Sequence, residues 1–211
     1  MPKIAIIVLV YNGREYLPDL LNSFKNQDYP QEFCEVILVD NASSDGSQGF
    51  IKTNFSEFTL IQNQKNEGFA KGNNIGIKYV LEKGFDYIVS LNQDTVVEKN
   101  WLKELVKIAE KDKKIGAVQP LILFSSERDK SKNEVFCFSE RARKRHPQNW
   151  GLFWDKQNKI NTSGNKIHFL GFGFCGDFGA RVEDYKLEYQ EIAYASGGAV
   201  LFKAKVLKEV G

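Results

Sequence analysis

Asp40 and Asp45 sit in the run Val39-Asp40-Asn41-Ala42-Ser43-Ser44-Asp45-Gly46-Ser47, directly behind the apolar stretch Val36-Ile37-Leu38-Val39. A buried strand that delivers carboxylates into a polar turn can offer them to ribose hydroxyls or base N–H groups. In open α/β sheets ligands bind beyond the carboxyl ends of the strands. Such a turn reads as a nucleotide pocket. Asp45 and Ser44 can equally cap the helix that follows, whereas Asp40, still at the strand end, fits that role less well. A third acid, Asp94, closes Asn92-Gln93-Asp94 behind another apolar run. One carboxylate there, together with diphosphate oxygens, could hold a hard divalent cation such as magnesium or manganese. Taken alone, Asp94 also fits a helix cap or a turn. Between these sites runs Asn66-Glu67-Gly68-Phe69-Ala70-Lys71-Gly72-Asn73-Asn74-Ile75-Gly76, a helix start whose free N–H groups and lysine can meet a nucleotide or phosphate.

The elements that must position these groups follow from hydrophobic spacing. Ile4 to Val10 reads as a buried strand ending at Tyr11-Asn12, and Leu17, Leu20, Leu21 and Phe24 keep the i, i+3, i+4, i+7 stripe of a helix. Pro18 suits that helix's first turn, so its body starts near there. A strand ending at Asp40, a short helix from Gln48 to Phe55 and a strand from Thr59 to Gln62 come next. Gly68 to Leu81 reads as helix despite Gly72 and Gly76, each costing about 1 kcal/mol relative to Ala, which suggests close approach of something to it. A strand over Tyr87–Leu91, a helix from Trp101 to Ala109 and a strand from Ile115 to Phe124 complete the alternation. The expected class is α/β, a mainly parallel central sheet with helices on both faces. Tyr11-Asn12, Asp40-Asn41 and Asn92-Gln93-Asp94 then converge at one end of that sheet.

From Ser125 to about Asn165 the periodicity disappears, which reads as an insertion. It carries the basic cluster Arg141, Arg143, Lys144 and Arg145 with Trp150, Phe153 and Trp154 behind it. This could meet an anionic acceptor such as a phosphate-bearing lipid, but Glu127, Asp129 and Glu140 are interspersed and favour a solvated face. His146 and His168 have no spacing that suggests a metal or a triad.

The 211 residues, 42% hydrophobic and 27% charged, suffice for one sizeable core, so one domain is expected. A formal net charge of +2 says little about acidic partners, and no nucleic acid partner is expected. Cys34, Cys137 and Cys175 lack paired spacing and read as buried free thiols in a reducing compartment. No apolar run approaches the roughly 20 residues of a membrane span, and Tyr11-Asn12-Gly13-Arg14-Glu15 does not fit a signal cleavage site. The expected location is the cytoplasm, with peripheral association at the inner membrane face allowed. A phosphate-loop lysine-serine signature and a dinucleotide glycine pattern are both absent from the sequence, which disfavours ATP hydrolysis and nicotinamide chemistry.

Five segments together resemble the nucleotide-diphospho-sugar transferases of glycosyltransferase family 2, in particular the bacterial rhamnosyltransferase-like branch. They are I-I-V-L-V-Y-N-G, V-I-L-V-D-N-A-S-S-D-G-S, N-E-G-F-A-K-G-N-N-I-G-I, L-N-Q-D-T and A-S-G-G-A-V-L-F, in the family's order. The resemblance implies the GT-A fold, with residues 1–124 as the nucleotide-sugar-binding half, 125–194 as an insertion on the acceptor side and 195–211 opening the acceptor-binding half. It implies that Tyr11, Asn12 and Asp40 contact the base and ribose, with Asn41 nearby, and that Gly68, Lys71 and Asn73 line the nucleotide and diphosphate. Asn92 and Asp94 fall on the outer positions of the family's D-x-D element, which makes Asp94 the metal ligand. Asn92 departs from the acidic version. Ser196, Gly197 and Gly198 match the small-residue turn beside the donor sugar and acceptor.

The chemistry implied is an inverting, in-line transfer of sugar from a dTDP- or UDP-sugar to a glycan or lipid-linked acceptor, in building a bacterial surface polysaccharide. Its general base is expected in an acidic, aromatic-rich segment beyond Gly211, so the chain is expected to be C-terminally incomplete. Glu183-Asp184 precedes the A-S-G-G turn and is not assigned that role. The alternative is a nucleotide-sugar-binding module without the base. A nucleotidyltransferase would carry a glycine-rich basic loop after the first strand, which Tyr11-Asn12-Gly13-Arg14 matches poorly.

Overall fold

A computed structural model describes residues 1–123, 135–136, 160–167, 173–185 and 190–210. The chain alternates β1 (Ile4–Val10), α1 (Leu17–Lys25), β2 (Cys34–Asp40), α2 (Ser47–Asn54), β3 (Thr59–Gln62), α3 (Phe69–Leu81), β4 (Tyr87–Asn92) and α4 (Trp101–Ala109). Pro18 sits in the first turn of α1, where its missing N–H would have had no intrahelical partner anyway. Gly68, at φ 77°, turns the chain into α3, a backbone angle that glycine adopts without a Cβ clash.

Six strands form the main sheet in the order β3-β2-β1-β4-β11-β5, with β11 at Ala199–Lys203 and β5 at Ala117–Val118. The four N-terminal strands run parallel, while β11 lies antiparallel to both β4 and β5. Successive side chains of a strand face opposite sides, and β1 divides its residues accordingly. Ile4, Ile6, Val8 and Val10 join Leu17, Leu20, Ile51, Trp101 and Leu105 on the α1, α2 and α4 side. Ala5 and Ile7 join Ile37, Val39, Val80 and Ala204 on the side of α3 and of α5 (Ala204–Val210). Both faces are thus covered, as a central parallel sheet requires.

The two helical glycines have a physical partner in the sheet. A Cβ on Gly72 would lie 2.5 Å from Leu9 Cδ1, and one on Gly76 would lie 2.7 Å from Ile7 Cγ2 and 3.0 Å from Val39 Cγ2. The close approach is by α3 to β1 and β2, not by a ligand.

Two expectations are corrected. The strand expected from Ile115 to Phe124 is split at Pro120. β5 stays in the main sheet, while β6 (Leu121–Leu123) turns away to pair with β7 (Val135–Phe136) and β8 (Ile160–Thr162). Proline has no N–H for a ladder and breaks a central strand. Cys175, expected to be buried, is exposed at the end of β10 (Gly173–Cys175), which pairs with β9 (Asn165–Ile167). Cys34 is partly buried, and burial pushes its thiol up to about 11 against a smaller opposing effect of the Gln27 hydrogen bond. Cys137, the cluster Arg141, Arg143, Lys144 and Arg145, the aromatics Trp150, Phe153 and Trp154, and both histidines lie outside the described residues. Among the described residues no helix is long and apolar enough to cross a membrane.

Candidate functional site

Strand register sets the site. Val10 stands opposite Asp40, and Leu9 opposite Asn92, so β2, β1 and β4 end side by side and release Asn41, Tyr11 and Gln93 at one edge. Asp40 is fully buried. Its Oδ2 accepts the Ser43 N–H at 3.1 Å and the Gln48 amide at 2.5 Å, while its Oδ1 is buried with no hydrogen-bond partner among the described residues. A buried acceptor left unpaired costs about 1–3 kcal/mol. Gln62 donates to Gln48 in turn and fixes its amide.

Asn41 is 2% exposed and its amide is saturated. Nδ2 donates to Asn66 Oδ1 at 2.7 Å and to the Gly68 carbonyl at 3.3 Å; Oδ1 accepts from Asn63 Nδ2 at 3.0 Å and from the Glu67 N–H at 2.9 Å. Asn41 therefore holds the loop that leads into α3. Asn73, also buried, donates to the Phe69 carbonyl and accepts from Ser90, so its amide ties α3 to β4. Gly68 and Lys71 are exposed at the helix start, and Lys71 Nζ meets Glu67 at 2.5 Å. That hydrogen bond, with the burial of Glu67 opposing and the Lys71 charge helping, holds the Glu67 carboxyl below its ordinary range.

The turn after β1 is bound to both neighbouring loops. Asn12, in the left-handed region at φ 47°, accepts from the Ser44 N–H at 2.9 Å, and its own N–H donates to Ser43. Gln93 clasps Tyr11 from both sides. Its Oε1 accepts the Tyr11 N–H at 2.9 Å and its Nε2 donates to the Tyr11 carbonyl at 3.1 Å. Gly13 leaves room for this clasp: a Cβ there would displace the Gln93 amide. Asp45 accepts from the Ser47 N–H and hydroxyl and from the Arg14 N–H, so it caps α2 and braces the first turn. Burial alone would raise its carboxyl, but these donors outweigh it and hold the group below its ordinary value.

Asp94 is exposed just past β4. Tyr16 titrates above its ordinary value, mainly through a hydrogen bond to Glu15 and the Glu15 charge, then burial, then the charge of Asp94. An accessible carboxylate at a sheet edge fits a hard cation that takes the rest of its shell from diphosphate oxygens and water. Ser196, Gly197 and Gly198 reach the site through β11: the Gly198 carbonyl accepts the Asn92 N–H at 3.0 Å, and Gln119 Oε1 accepts the Ser196 N–H at 2.6 Å. Glu183 and Asp184 stand exposed in a short 3-10 turn, Glu183 paired with Arg181. A cavity of about 550 Å³ between Met1, Asp86, Tyr87, Glu110 and Lys203 opens at the other end of the sheet and holds none of these groups.

Sequence reasoning assigned no fastening role to Gln93, Gln48 or Gln119, whose side chains hold the loops together.

The chain is similar to known proteins. The dTDP-rhamnosyl transferase RfbF of Shigella flexneri is 32% identical over 104 residues, covering 49% of this chain and 33% of that protein. The poly-beta-1,6-N-acetyl-D-glucosamine synthase of Staphylococcus epidermidis is 30% identical over 118 residues, covering 54% and 27%. The matches thus span about a third or less of those relatives. The mannosyltransferase PcManGT of Pyrobaculum calidifontis, solved with GDP-Man and Mn2+, superposes over 100% of this chain and 47% of its own with a TM-score of 0.61 at 18% identity, which establishes the GT-A fold. The glycosyl transferase family 2 pattern matches residues 5–211, and with it running through nearly the whole length the chain belongs to glycosyl transferase family 2.

Proposed function

We propose that this chain binds a nucleotide diphosphate sugar, dTDP- or UDP-linked, and serves its inverting transfer to a glycan or lipid-linked acceptor in bacterial surface polysaccharide synthesis. The observation that carries the reading is the buried Asp40 carboxylate with one oxygen unpaired at the strand ends. Asp40 accepts a hydrogen bond from the donor's base or ribose beside Tyr11 and Asn12. Asn41 and Asn73 shape the Asn63–Gly68 loop and the start of α3, and Gly68 and Lys71 present that start to the diphosphate. The Lys71–Glu67 pair is a solvent-screened surface contact, so Lys71 exchanges it for diphosphate oxygens at little cost.

Asp94, with Asn92 beside it, would hold magnesium or manganese, and a cation there supplies positive charge to the leaving diphosphate. Lys71 adds to the same electrostatic stabilisation. A carboxylate base must take the acceptor's proton as its oxygen attacks the anomeric carbon. Residues 1–124 hold the donor in this reading, 125–194 are an insertion on the acceptor side, and Ser196, Gly197 and Gly198 open the half that meets sugar and acceptor. The setting is cytoplasmic, with the acceptor reached at the membrane's inner face. RfbF, by its name a dTDP-rhamnosyl transferase, supports this donor class. The test is Asp94→Ala: it should remove the manganese-dependent part of dTDP or UDP affinity and leave the metal-free part. A retained manganese effect would show that the metal is held elsewhere.

A further inference from the structure

Phe69 opens α3 and is 58% exposed. A phenylalanine contributes little to helix formation at that position, and among the described residues it stacks on no other ring. Its ring edge lies 3.5–3.6 Å from where a Cβ on Gly197 would stand, and among the described residues, chain neighbours aside, no other group comes within 4 Å of that point. At Gly198 the corresponding point is 3.5 Å from Ser196 Oγ, 3.6 Å from Ile122 Cδ1 and 3.7 Å from Asn92 Nδ2. One wall of the opening therefore combines a bare aromatic face, two residues without side chains, and a hydroxyl and an amide within reach. Nucleotide and diphosphate chemistry alone accounts for the polar groups but leaves the ring unexplained.

A sugar needs both kinds of surface. Its hydroxyls project around the rim of the pyranose, while its axial C–H bonds form an apolar face whose weakly positive hydrogens match the negative face of an aromatic ring. We propose that Phe69 is the stacking platform for the pyranose of the donor sugar, and so a specificity-determining residue. The inference rests on the nucleotide-sugar reading above. With the base at Asp40 and the diphosphate at Lys71 and Asp94, the sugar is the next group along the donor and arrives at Asn92 and the Ser196–Gly198 turn, beside Phe69. Glycine at 197 leaves the ring edge uncovered; a side chain there would begin in van der Waals contact with it.

The test is calorimetric titration, with manganese present, of wild type, Phe69→Ala and Phe69→Tyr against dTDP, UDP, dTDP-glucose, UDP-glucose and UDP-N-acetylglucosamine. An exposed side chain can be truncated without loss of the core. Phe69→Ala should leave dTDP and UDP affinity unchanged and weaken the best-bound nucleotide sugar roughly 3- to 10-fold, and Phe69→Tyr should retain it. If Phe69→Ala changes no affinity, or weakens diphosphate and nucleotide sugar by the same factor, the platform is overturned while the nucleotide site stands. Wild type that binds neither dTDP nor UDP overturns the nucleotide-sugar reading and this inference with it.

Discussion

Replacing Asp40 by Asn tests the buried carboxylate with almost no change in shape. The Ser43 backbone N–H, 3.1 Å from Oδ2, cannot rotate, so it keeps the variant's amide oxygen on its side and puts Nδ2 where Oδ1 was. Gln48, 2.5 Å from the same oxygen, favours the same orientation. The position that offered a charged acceptor to a ligand N–H or O–H then presents a donor. A hydrogen bond to a charged group contributes about 1.5–3 kcal/mol, so dTDP and UDP affinity should fall roughly 10- to 150-fold, with or without manganese. Folding should hardly change. The amide is easier to bury than a carboxylate, but it also weakens the bonds to Ser43 and Gln48, and these opposed effects should keep stability within about 1 kcal/mol. Calorimetric titration beside urea denaturation separates the two outcomes. Unchanged affinity in a folded Asp40→Asn protein would refute the role of this oxygen; lost stability with proportionate loss of binding would show that Asp40 is only structural.

Asn41→Ala should cost about 2–3 kcal/mol in urea denaturation, because it strands Asn63, Asn66, Glu67 and Gly68 partners, and amide exchange should speed up from Asn63 to Gly68; protection unchanged there would contradict its part in the loop. Gly76→Ala should destabilise by about 1–2 kcal/mol, since overpacking against Ile7 and Val39 exceeds the gain in helix propensity. Gly49→Ala, in α2 with nothing within 4 Å, should instead stabilise by about 0.5–1 kcal/mol, and melting shifts of the same sign for both would contradict the packing argument. Asp45 titrates lower folded than unfolded, so its stabilisation is present above the unfolded value, near 4, and is lost as pH falls through the folded one. The stability gap between wild type and Asp45→Asn should therefore be flat from pH 7 to about 5 and close below about 4; a gap that widens in acid would be the opposite result.

The sheet was legible where periodicity and length agreed. β1, β2 and β3, and the stripes of α1 and α4, follow from apolar spacing alone, because each buries one defined face. The direction of β11 was not legible, since a short apolar run such as Ala199-Val200-Leu201-Phe202 carries no mark of whether its neighbour runs parallel or antiparallel. Pro120 was visible in the sequence, and its missing N–H should have split the strand read from Ile115 to Phe124. In the site, strand-end acids were legible by position, whereas the work of glutamines was not. Gln93, Gln48 and Gln119 have ordinary surface composition, and only the fold brings Gln93 to Tyr11 across 82 residues of chain. Asn41 and Asn73 stood out by motif, but the bonds that occupy their amides depend on loop geometry, which no spacing rule supplies.

The central claim is tested most directly by titrating the purified wild-type chain with dTDP and UDP, each with and without manganese. The account predicts saturable binding of at least one diphosphate, strengthened by the metal. A folded chain that binds neither, in either condition, would contradict it.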